Sequence, residues 1–136
     1  HKVMEENLRF WNPGTSSRLT NDELVYRDVK FPKDTLLFLP NSMAGRDPAM
    51  FPDPDKINPD RPNAQQHIAF GRGMHMCLGQ YIARAQMEEG LHLIAQRLKN
   101  PKLAGKYGYR PFPGTSGLKG LPISFTAAPA RATAAE

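Results

Sequence analysis

The chain has 136 residues, a net charge of +5 and 40% hydrophobic residues, which suits one domain with a modest core. A single cysteine excludes an internal disulfide, and no apolar run approaches the ~18 residues of a membrane span, so we expect a cytoplasmic protein without a membrane segment. The basic charge indicates either an acidic partner or a solvated face, and because no nucleic-acid motif accompanies it we expect no nucleic-acid partner.

The first part of the chain predicts a helix followed by a hairpin. Residues 1–11 have the composition of a helix, and Asn12-Pro13-Gly14 ends it. Further on, Leu24-Val25-Tyr26 and Val29-Lys30-Phe31 are typical of strands. They flank Arg27-Asp28, which predicts a tight turn between them.

The middle of the chain predicts one buried strand and a long irregular segment. Residues 36–39 are apolar, and residues 35–39 predict a strand inside a core. A short helical turn is expected around residues 43–46. Residues 47–62 are so rich in proline that regular structure is excluded. We expect this segment to be ordered against a surface by three apolar anchors, Met50, Phe51 and Ile57.

The last part predicts a long helix. Residues 78–99 carry an apolar stripe at helical spacing, and Asn100-Pro101 would stop the helix. The members of the stripe are Ala83, Met87, Leu91, Ile94 and Leu98. Residues 121–125 alternate as a strand does. The first residue is His1 rather than Met, which suggests a fragment boundary.

One decapeptide, F-G-R-G-M-H-M-C-L-G at residues 70–79, contains the single cysteine. Cys77 stands immediately before the predicted long helix, whose unpaired amides and dipole would stabilise a thiolate. Gly71 and Gly73 permit sharp turns with positive φ. Gly79 removes a side chain from the first helical turn, so that a flat group could lie close to it. These residues predict a preformed thiolate with room above the sulfur.

Four interpretations of Cys77 compete. A lone cysteine is often a buried structural residue, and a zinc site would need about four ligands, whereas His67, His75 and His92 lack the paired spacing. A nucleophile would need a partner such as His75, but no oxyanion-hole motif accompanies it. The fourth interpretation is an axial thiolate ligand to a planar macrocycle. This one explains the glycines, the helix position and the single soft ligand together.

The decapeptide resembles the cysteine-ligand loop of cytochromes P450, Phe-x-x-Gly-x-(His/Arg)-x-Cys-x-Gly. Two further landmarks agree in order and spacing. Glu6-Asn7-Leu8-Arg9 resembles the Glu-x-x-Arg helix motif of the family, and Arg61 stands where the family has the arginine that completes this triad. The resemblance runs from residue 1 to about residue 125. It departs at Gly45-Arg46-Asp47, where many bacterial members have Asn-Arg-Asp, and the family's distal helix with its acid/alcohol pair has no counterpart in the sequence.

The resemblance implies a haem site around Cys77. Cys77 would be catalytic as the proximal thiolate ligand to the iron of haem b (iron protoporphyrin IX), a ligand that favours O–O cleavage. Phe70 would shield the sulfur, and His75 and Arg18 would bind the haem propionates. The loop glycines would complete the haem-binding set: Gly71, Gly73 and Gly79.

The resemblance also implies a buried ion network. Glu6, Arg9 and Arg61 would form it and lock the proline-rich segment beneath the haem loop. These three residues would be structural rather than catalytic, because buried ion networks contribute to specificity more than to rate.

Substrate and redox-partner positions follow from the same resemblance. The possible substrate-pocket residues are Gly14, Thr15, Thr115 and Leu118, and the first two are equally plain turn residues. Arg72 and Arg84 would face an acidic, ferredoxin-type electron donor. The alternative for these arginines is a solvated surface.

The predicted fold class is mainly α with a small antiparallel β-sheet (α+β), the C-terminal part of the cytochrome P450 fold rather than a complete domain. Residues 1–126 would form this part, and residues 127–136 a disordered tail. The parent enzyme would be a soluble bacterial haem-thiolate monooxygenase that hydroxylates an apolar small molecule with O2, and we expect the chain to be joined to its N-terminal part. The alternatives are a haem-binding or inert fragment without activity and a basic nucleic-acid-binding module.

Overall fold

The structure, a computed structural model, describes residues 1–110 and 116–129. The described residues form two compact units, residues 1–77 with Ser116 and residues 78–110 with 117–129. Helices and short antiparallel strands occur in both units, so the predicted mixed class is confirmed. The strands that the structure describes pair into four two-stranded sheets.

Helix α1, Lys2–Phe10, provides the core of the first unit, and the predicted helix over residues 1–11 is confirmed. Six of its nine residues are buried, among them Met4 and Leu8. Glu5 in its first turn and Arg9 in its last turn both complement the helix dipole. The helix ends where Asn12 and Pro13 begin, as the sequence predicts.

Two antiparallel pairs follow α1. Strand β1, Ser16–Leu19, pairs with β4, Leu36–Leu39, and between them β2, Leu24–Tyr26, pairs with β3, Val29–Phe31. The predicted hairpin is confirmed, and Arg27 and Asp28 both have positive φ, 47° and 63°. Two successive positive φ values are typical of the tight hairpin turn whose twist matches that of its strands.

The apolar strand β4 is not the buried strand that the sequence predicts. Leu36 is 71% exposed and Phe38 is 47% exposed. An apolar run shows which residues favour burial, but burial also needs a second surface to cover them. That expectation is therefore corrected for the described residues.

The proline-rich segment is ordered, but by fewer apolar anchors than predicted. The preceding helix α2 spans Asn41–Ala44, slightly earlier than the expected turn. Of the three predicted anchors, Phe51 is buried, with 1% exposure, whereas Met50 and Ile57 are exposed. Polar contacts to backbone carbonyls hold the segment instead, as described below. A 3-10 turn at Ala64–Gln66 then lies against α1.

Over residues 78–110 and 117–129, the second unit contains α3 and four strands. The elements are α3, Gln80–Arg97; β5, Leu98–Leu103; β6, Gly108–Tyr109; β7, Leu118–Gly120; and β8, Ile123–Ala127. β5 pairs with β8 and β6 with β7. The predicted helix over residues 78–99 is confirmed as α3, which begins and ends two residues inside these bounds. Asn100-Pro101 lie beyond its end, in an irregular stretch of β5 where the register shifts. Proline cannot donate to the ladder, which suits it to such an irregularity.

The stripe of α3 is only partly covered. Leu91 is 43% exposed and Ile94 53% exposed, although their spacing is that of a core-facing stripe. No helix in the described part of the chain is long and apolar enough to cross a membrane. Ala127, the first residue of the predicted tail, belongs to β8, and residues 130–136 lie outside the described residues.

Candidate functional site

The loop that carries Cys77 is folded back on itself. The Cys77 N–H donates to the Phe70 carbonyl at 2.8 Å, and the Gly71 N–H donates to the Ile68 carbonyl at 3.0 Å. Between these bonds, Gly73–His75 form a 3-10 turn. The loop therefore holds its cysteine by backbone hydrogen bonds.

Two of the loop glycines, Gly71 and Gly73, allow its backbone conformation. Gly71 has φ +74° and Gly73 has φ +81°, values that side-chain-bearing residues disfavour. A Cβ at Gly71 would meet nothing closer than the His75 carbonyl oxygen at 3.9 Å, and one at Gly73 would meet nothing within 4 Å. Conformation rather than lack of space requires glycine here.

A cavity of about 360 Å³ opens beside this loop. Three segments of the first unit line it: the chain after α1, the end of β4 with the start of α2, and the cysteine loop. The lining residues are Gly14, Thr15, Ser16, Arg18, Leu39, Asn41, Ile68, Ala69, Phe70, Gly71, Arg72, His75 and Cys77. Pairing of Ser16 with Leu39 brings the first two segments together.

The lining combines a thiol, basic side chains and an apolar wall. Cys77 is exposed, and so are Arg18, Arg72 and His75. The lining residues include no Asp or Glu, so the charged side chains there favour an anionic group. Arg18 donates once to the Ser17 carbonyl, which leaves further guanidinium donors for a ligand.

The structure brings most of the predicted haem-binding residues together. Arg18, Phe70, Gly71, His75 and Cys77 all line the cavity. Gly73 shapes the loop without lining the cavity. Gly79 lies in the second unit at the N-terminal flank of α3, with an ordinary φ of −80°. Because α3 begins at Gln80, Cys77 is three residues before the helix rather than next to it.

The other predicted site residues are divided between the units. Gly14 and Thr15 line the same cavity as Cys77, and so does Arg72. Leu118 lies in β7 of the second unit, and Thr115 lies outside the described residues. Arg84 is on α3, where its guanidinium donates to Gln80 Oε1 at 2.9 Å.

Glu6, Arg9 and Arg61 meet in the interior of the first unit. Glu6 accepts from Arg9 Nε at 2.8 Å and Nη2 at 2.7 Å, in a bidentate pair that is fully buried. Arg61 Nε lies 3.3 Å from Glu6 Oε1, and the Asn58 N–H donates to the same oxygen at 2.9 Å. Burial alone raises the pKa of Glu6. The hydrogen bonds from Arg9, Asn58 and Arg61 outweigh burial and hold this pKa below its ordinary value of 4.5.

The two arginines extend this network into the proline-rich segment. Arg9 Nη1 donates to the carbonyls of Gly45 and Pro54, at 2.6 and 2.8 Å. Arg61 Nη2 donates to the carbonyls of Asp53 and Lys56. Because the prolines prevent regular structure here, these carbonyls have no partners in a helix or sheet. The guanidinium groups donate to them instead, which explains how a segment without regular structure is ordered.

Gly45, where the chain departs from the family pattern, has no room for a side chain. A Cβ at Gly45 would collide with the Arg9 carbonyl oxygen. The next residue, Arg46, stacks on the Phe10 ring at 3.9 Å from its centroid and pairs with Asp55 at 3.0 Å. The sequence pattern contained no signal for this contact, because its partners are far apart in the chain.

A protein-family model and several known proteins match this chain. The family model for cytochrome P450 matches residues 1–103.

The chain belongs to the cytochrome P450 family.

Bacterial P450s are among its relatives and structural neighbours. It is 35% identical to luteothin monooxygenase of Streptomyces thioluteus over 130 residues, which is 93% of the chain and 32% of that protein. It is 32% identical to the biotin biosynthesis cytochrome P450 of Bacillus subtilis, over 90% of the chain and 31% of that protein. The substrate-free CYP150A6 of Mycobacterium marinum superposes with a TM-score of 0.86 at 31% identity, over 93% of the chain and 34% of that structure. The P450 chain thus spans about a third of the length of the proteins it matches, and its fold is a partial P450 fold.

The lining of the cavity fits the haem that the P450 family uses. Haem combines an apolar ring, an iron that accepts thiolate and two carboxylates. The exposed Cys77 thiol supplies the soft donor, Phe70 and Ile68 supply an apolar wall, and Arg18 and His75 supply donors for carboxylates. Five further lining residues were not predicted: Ser16, Leu39, Asn41, Ile68 and Ala69. The pairing of β1 with β4 places Leu39 beside Ser16.

Proposed function

We propose that this chain forms the proximal haem-binding part of a haem-thiolate monooxygenase. The whole enzyme would hydroxylate an apolar small molecule with O2 and with electrons from a ferredoxin-type donor. The observation that carries the proposal is the exposed Cys77 thiol in a cavity that also presents Arg18 and His75. When bound, the haem supplies the oxygen activation.

Each lining residue has a defined part in this proposal. Cys77 holds the iron through its sulfur, and the bond from its N–H to the Phe70 carbonyl keeps that sulfur at the cavity. Arg18 and His75 orient the ring by binding its propionates. The side chain of Phe70 keeps water from the sulfur, so that the thiolate stays a strong donor. Glu6, Arg9 and Arg61 act at a distance, by ordering the proline-rich segment.

The test is a reduced, carbon-monoxide difference spectrum of the protein as encoded, loaded with haem. We expect the strongly red-shifted Soret band of a thiolate-ligated ferrous–CO complex. The Cys77→His variant should keep some haem and lose that band. A red-shifted band that persists in Cys77→His would refute Cys77 as the ligand.

The substrate side of the cavity is a second part of the proposal. Gly14 and Thr15 line the cavity and leave room that larger side chains would fill. We expect Thr15→Phe to retain haem and its CO spectrum but to change which apolar compounds shift the resting Soret band. If the same compounds shift the Soret band in Thr15→Phe and in the wild type, Thr15 does not contact the substrate.

Electron delivery is the third part. Arg72 lines the cavity beside Cys77, and Arg84 lies on α3. Charge reversal at either residue should slow reduction by an acidic ferredoxin and weaken its dependence on ionic strength. Lys119→Glu, a charge reversal on β7, is the matched control.

A second candidate function is favoured by the apolar surface of α3. Tyr81 is 74% exposed and Ile82 67% exposed. Apolar surface of this kind favours aggregation when a domain stands alone. On this alternative the chain binds haem, or is inert, without catalytic activity of its own. Substrate oxidation by the 136-residue chain alone, supplied with haem and an electron donor, would exclude the alternative.

A further inference from the structure

A buried histidine–carboxylate pair joins α1 to the segment that precedes the cysteine loop. His67 Nε2 lies 2.9 Å from Glu5 Oε2, and both side chains are buried, with 2% and 4% exposure. The other Glu5 oxygen faces the exposed ring of His1 at 3.9 Å. Neither His67 nor Glu5 belongs to the P450 motifs discussed above.

The second ring nitrogen of His67 determines the tautomer. The Ala69 N–H donates to His67 Nδ1 at 3.1 Å, so this nitrogen is an acceptor and carries no proton. Nε2 therefore carries the ring proton and donates a hydrogen bond to the Glu5 carboxylate. One imidazole thus connects a helix side chain with a backbone amide of the loop.

The contacts continue from Ala69 to the cysteine. Ala69 lines the cavity and is followed by Phe70, whose carbonyl accepts the Cys77 N–H at 2.8 Å. The rings of His67 and Phe70 also lie close together, with centroids 6.4 Å apart and planes inclined by 50°. Glu5, His67, Ala69, Phe70 and Cys77 therefore form one series of adjacent contacts that leads from α1 to the thiol.

We propose that His67 is a positioning residue for the thiolate, held by Glu5. Its Nδ1 fixes the Ala69 amide and thereby the Phe70 carbonyl to which Cys77 is bonded. Its Nε2–H anchors this arrangement to α1, the most buried element of the first unit. The inference rests on the proposed function for its effect on the haem, but the arrangement of Ala69 and Cys77 is independent of haem.

Two substitutions of His67 distinguish the contributions of its two ring nitrogens. In His67→Asn, the amide oxygen takes the place of Nδ1 and retains the acceptor for Ala69. In His67→Gln, the longer side chain takes the place of Nε2 and retains the donor to Glu5, but not the acceptor. A matched pair at the partner is Glu5→Gln, which keeps an oxygen acceptor for Nε2–H, and Glu5→Leu, which does not.

The first measurement is amide hydrogen exchange of the protein as encoded, with and without haem. Loss of one hydrogen-bond acceptor should speed Ala69 exchange by about tenfold in His67→Gln and by much less in His67→Asn. Exchange of the Cys77 amide should likewise be faster in His67→Gln than in His67→Asn. The exchange rates in Glu5→Gln should be closer to those of the wild type than the rates in Glu5→Leu. The 15N shifts of the His67 ring should report a protonated Nε2.

The second measurement is the reduced-CO spectrum of these variants loaded with haem, together with His67→Phe, which has neither ring nitrogen. The share of the thiolate band should fall in His67→Phe and Glu5→Leu and recover in Glu5→Gln. The control is Lys2→Ala, which removes an exposed pair of α1 with Asp60 and should leave the band unchanged.

Contrary outcomes have distinct meanings. Equal Cys77 exchange and an equal CO band in all folded variants would overturn the positioning role while leaving Cys77 as the ligand. A protonated Nδ1 would overturn it as well. Absence of the thiolate band in the wild type would overturn the proposed function, whereas the exchange results on Ala69 and Cys77 would still decide the positioning role. If His67→Phe does not fold, the comparison of Asn with Gln at the same position decides.

Discussion

Removing the Glu6 carboxylate should destabilise this protein more than any surface substitution of the same kind. In Glu6→Gln the side chain keeps its size and one acceptor oxygen but loses its charge. Arg9 and Arg61 would then remain as two buried cations, with side chains only 0% and 5% exposed. Removal of one partner from a buried ion pair typically costs about 3–5 kcal/mol, because the remaining charge is not compensated.

This magnitude would be a large part of the total stability. Domains of this size are stable by about 5–15 kcal/mol, so the loss should strongly lower the midpoint of denaturant unfolding. The control is Glu23→Gln, which breaks the exposed pair between Glu23 and Lys30 and should cost less than about 1 kcal/mol.

The assay is equilibrium unfolding of the 136-residue chain in urea, with fluorescence of its single tryptophan, Trp11. Trp11 follows α1 directly, so its signal reports on the element that carries Glu6. A cost for Glu6→Gln no greater than that for Glu23→Gln would refute the reasoning, since it would mean that the buried guanidiniums do not depend on this carboxylate.

Three other predictions follow from the same structure. Because the pKa of Glu6 is lowered on folding, the Glu6 carboxylate stabilises the fold fully above about pH 4.5, and this stabilisation is lost as the pH falls through the lower folded-state pKa. The difference in unfolding free energy between the wild type and Glu6→Gln should therefore become smaller below pH 4.5. A difference that does not vary with pH would contradict the lowered pKa. Gly71→Ala places a side chain at φ +74°, which should cost about 1–2 kcal/mol and reduce haem retention, whereas Gly90→Ala inside α3 should not reduce it; equal haem retention in the two would refute a conformational role for Gly71. In urea unfolding, Phe51→Ala should lower the free energy of unfolding by about 3–5 kcal/mol, and Met50→Ala should change it by no more than about 0.5 kcal/mol. Similar losses at both positions would show that burial does not distinguish these two residues.

The cysteine loop could be predicted closely because its determinants are local. Glycine permits the positive φ of Gly71 and Gly73, and the strands on either side predict the turn at Arg27-Asp28. Residues separated by only a few positions constrain one another through short backbone hydrogen bonds, such as the one between Cys77 and Phe70. Motifs of this kind can therefore be recognised without the rest of the fold.

Burial could not be predicted in the same way. The apolar residues of β4 and the stripe on α3 have the periodicity of core elements, yet Leu36 and Ile94 are more than half exposed. Periodicity describes one surface of an element, whereas burial depends on two surfaces that meet. Of the proline-rich segment, only Phe51 is a buried anchor, and hydrogen bonds from Arg9 and Arg61 order the remainder.

The sequence by itself determined the family, the thiol at Cys77, the glycines that shape its loop and the motif that contains Glu6 and Arg9. Only the tertiary structure decided that Leu39 and Asn41 line the cavity. The structure also decided that Glu5 meets His67 across 62 positions of chain. The physical reason is the range of the interactions: turns and short motifs are held by neighbours in sequence, whereas a buried charge must find its partner wherever the folded chain brings one within hydrogen-bond distance.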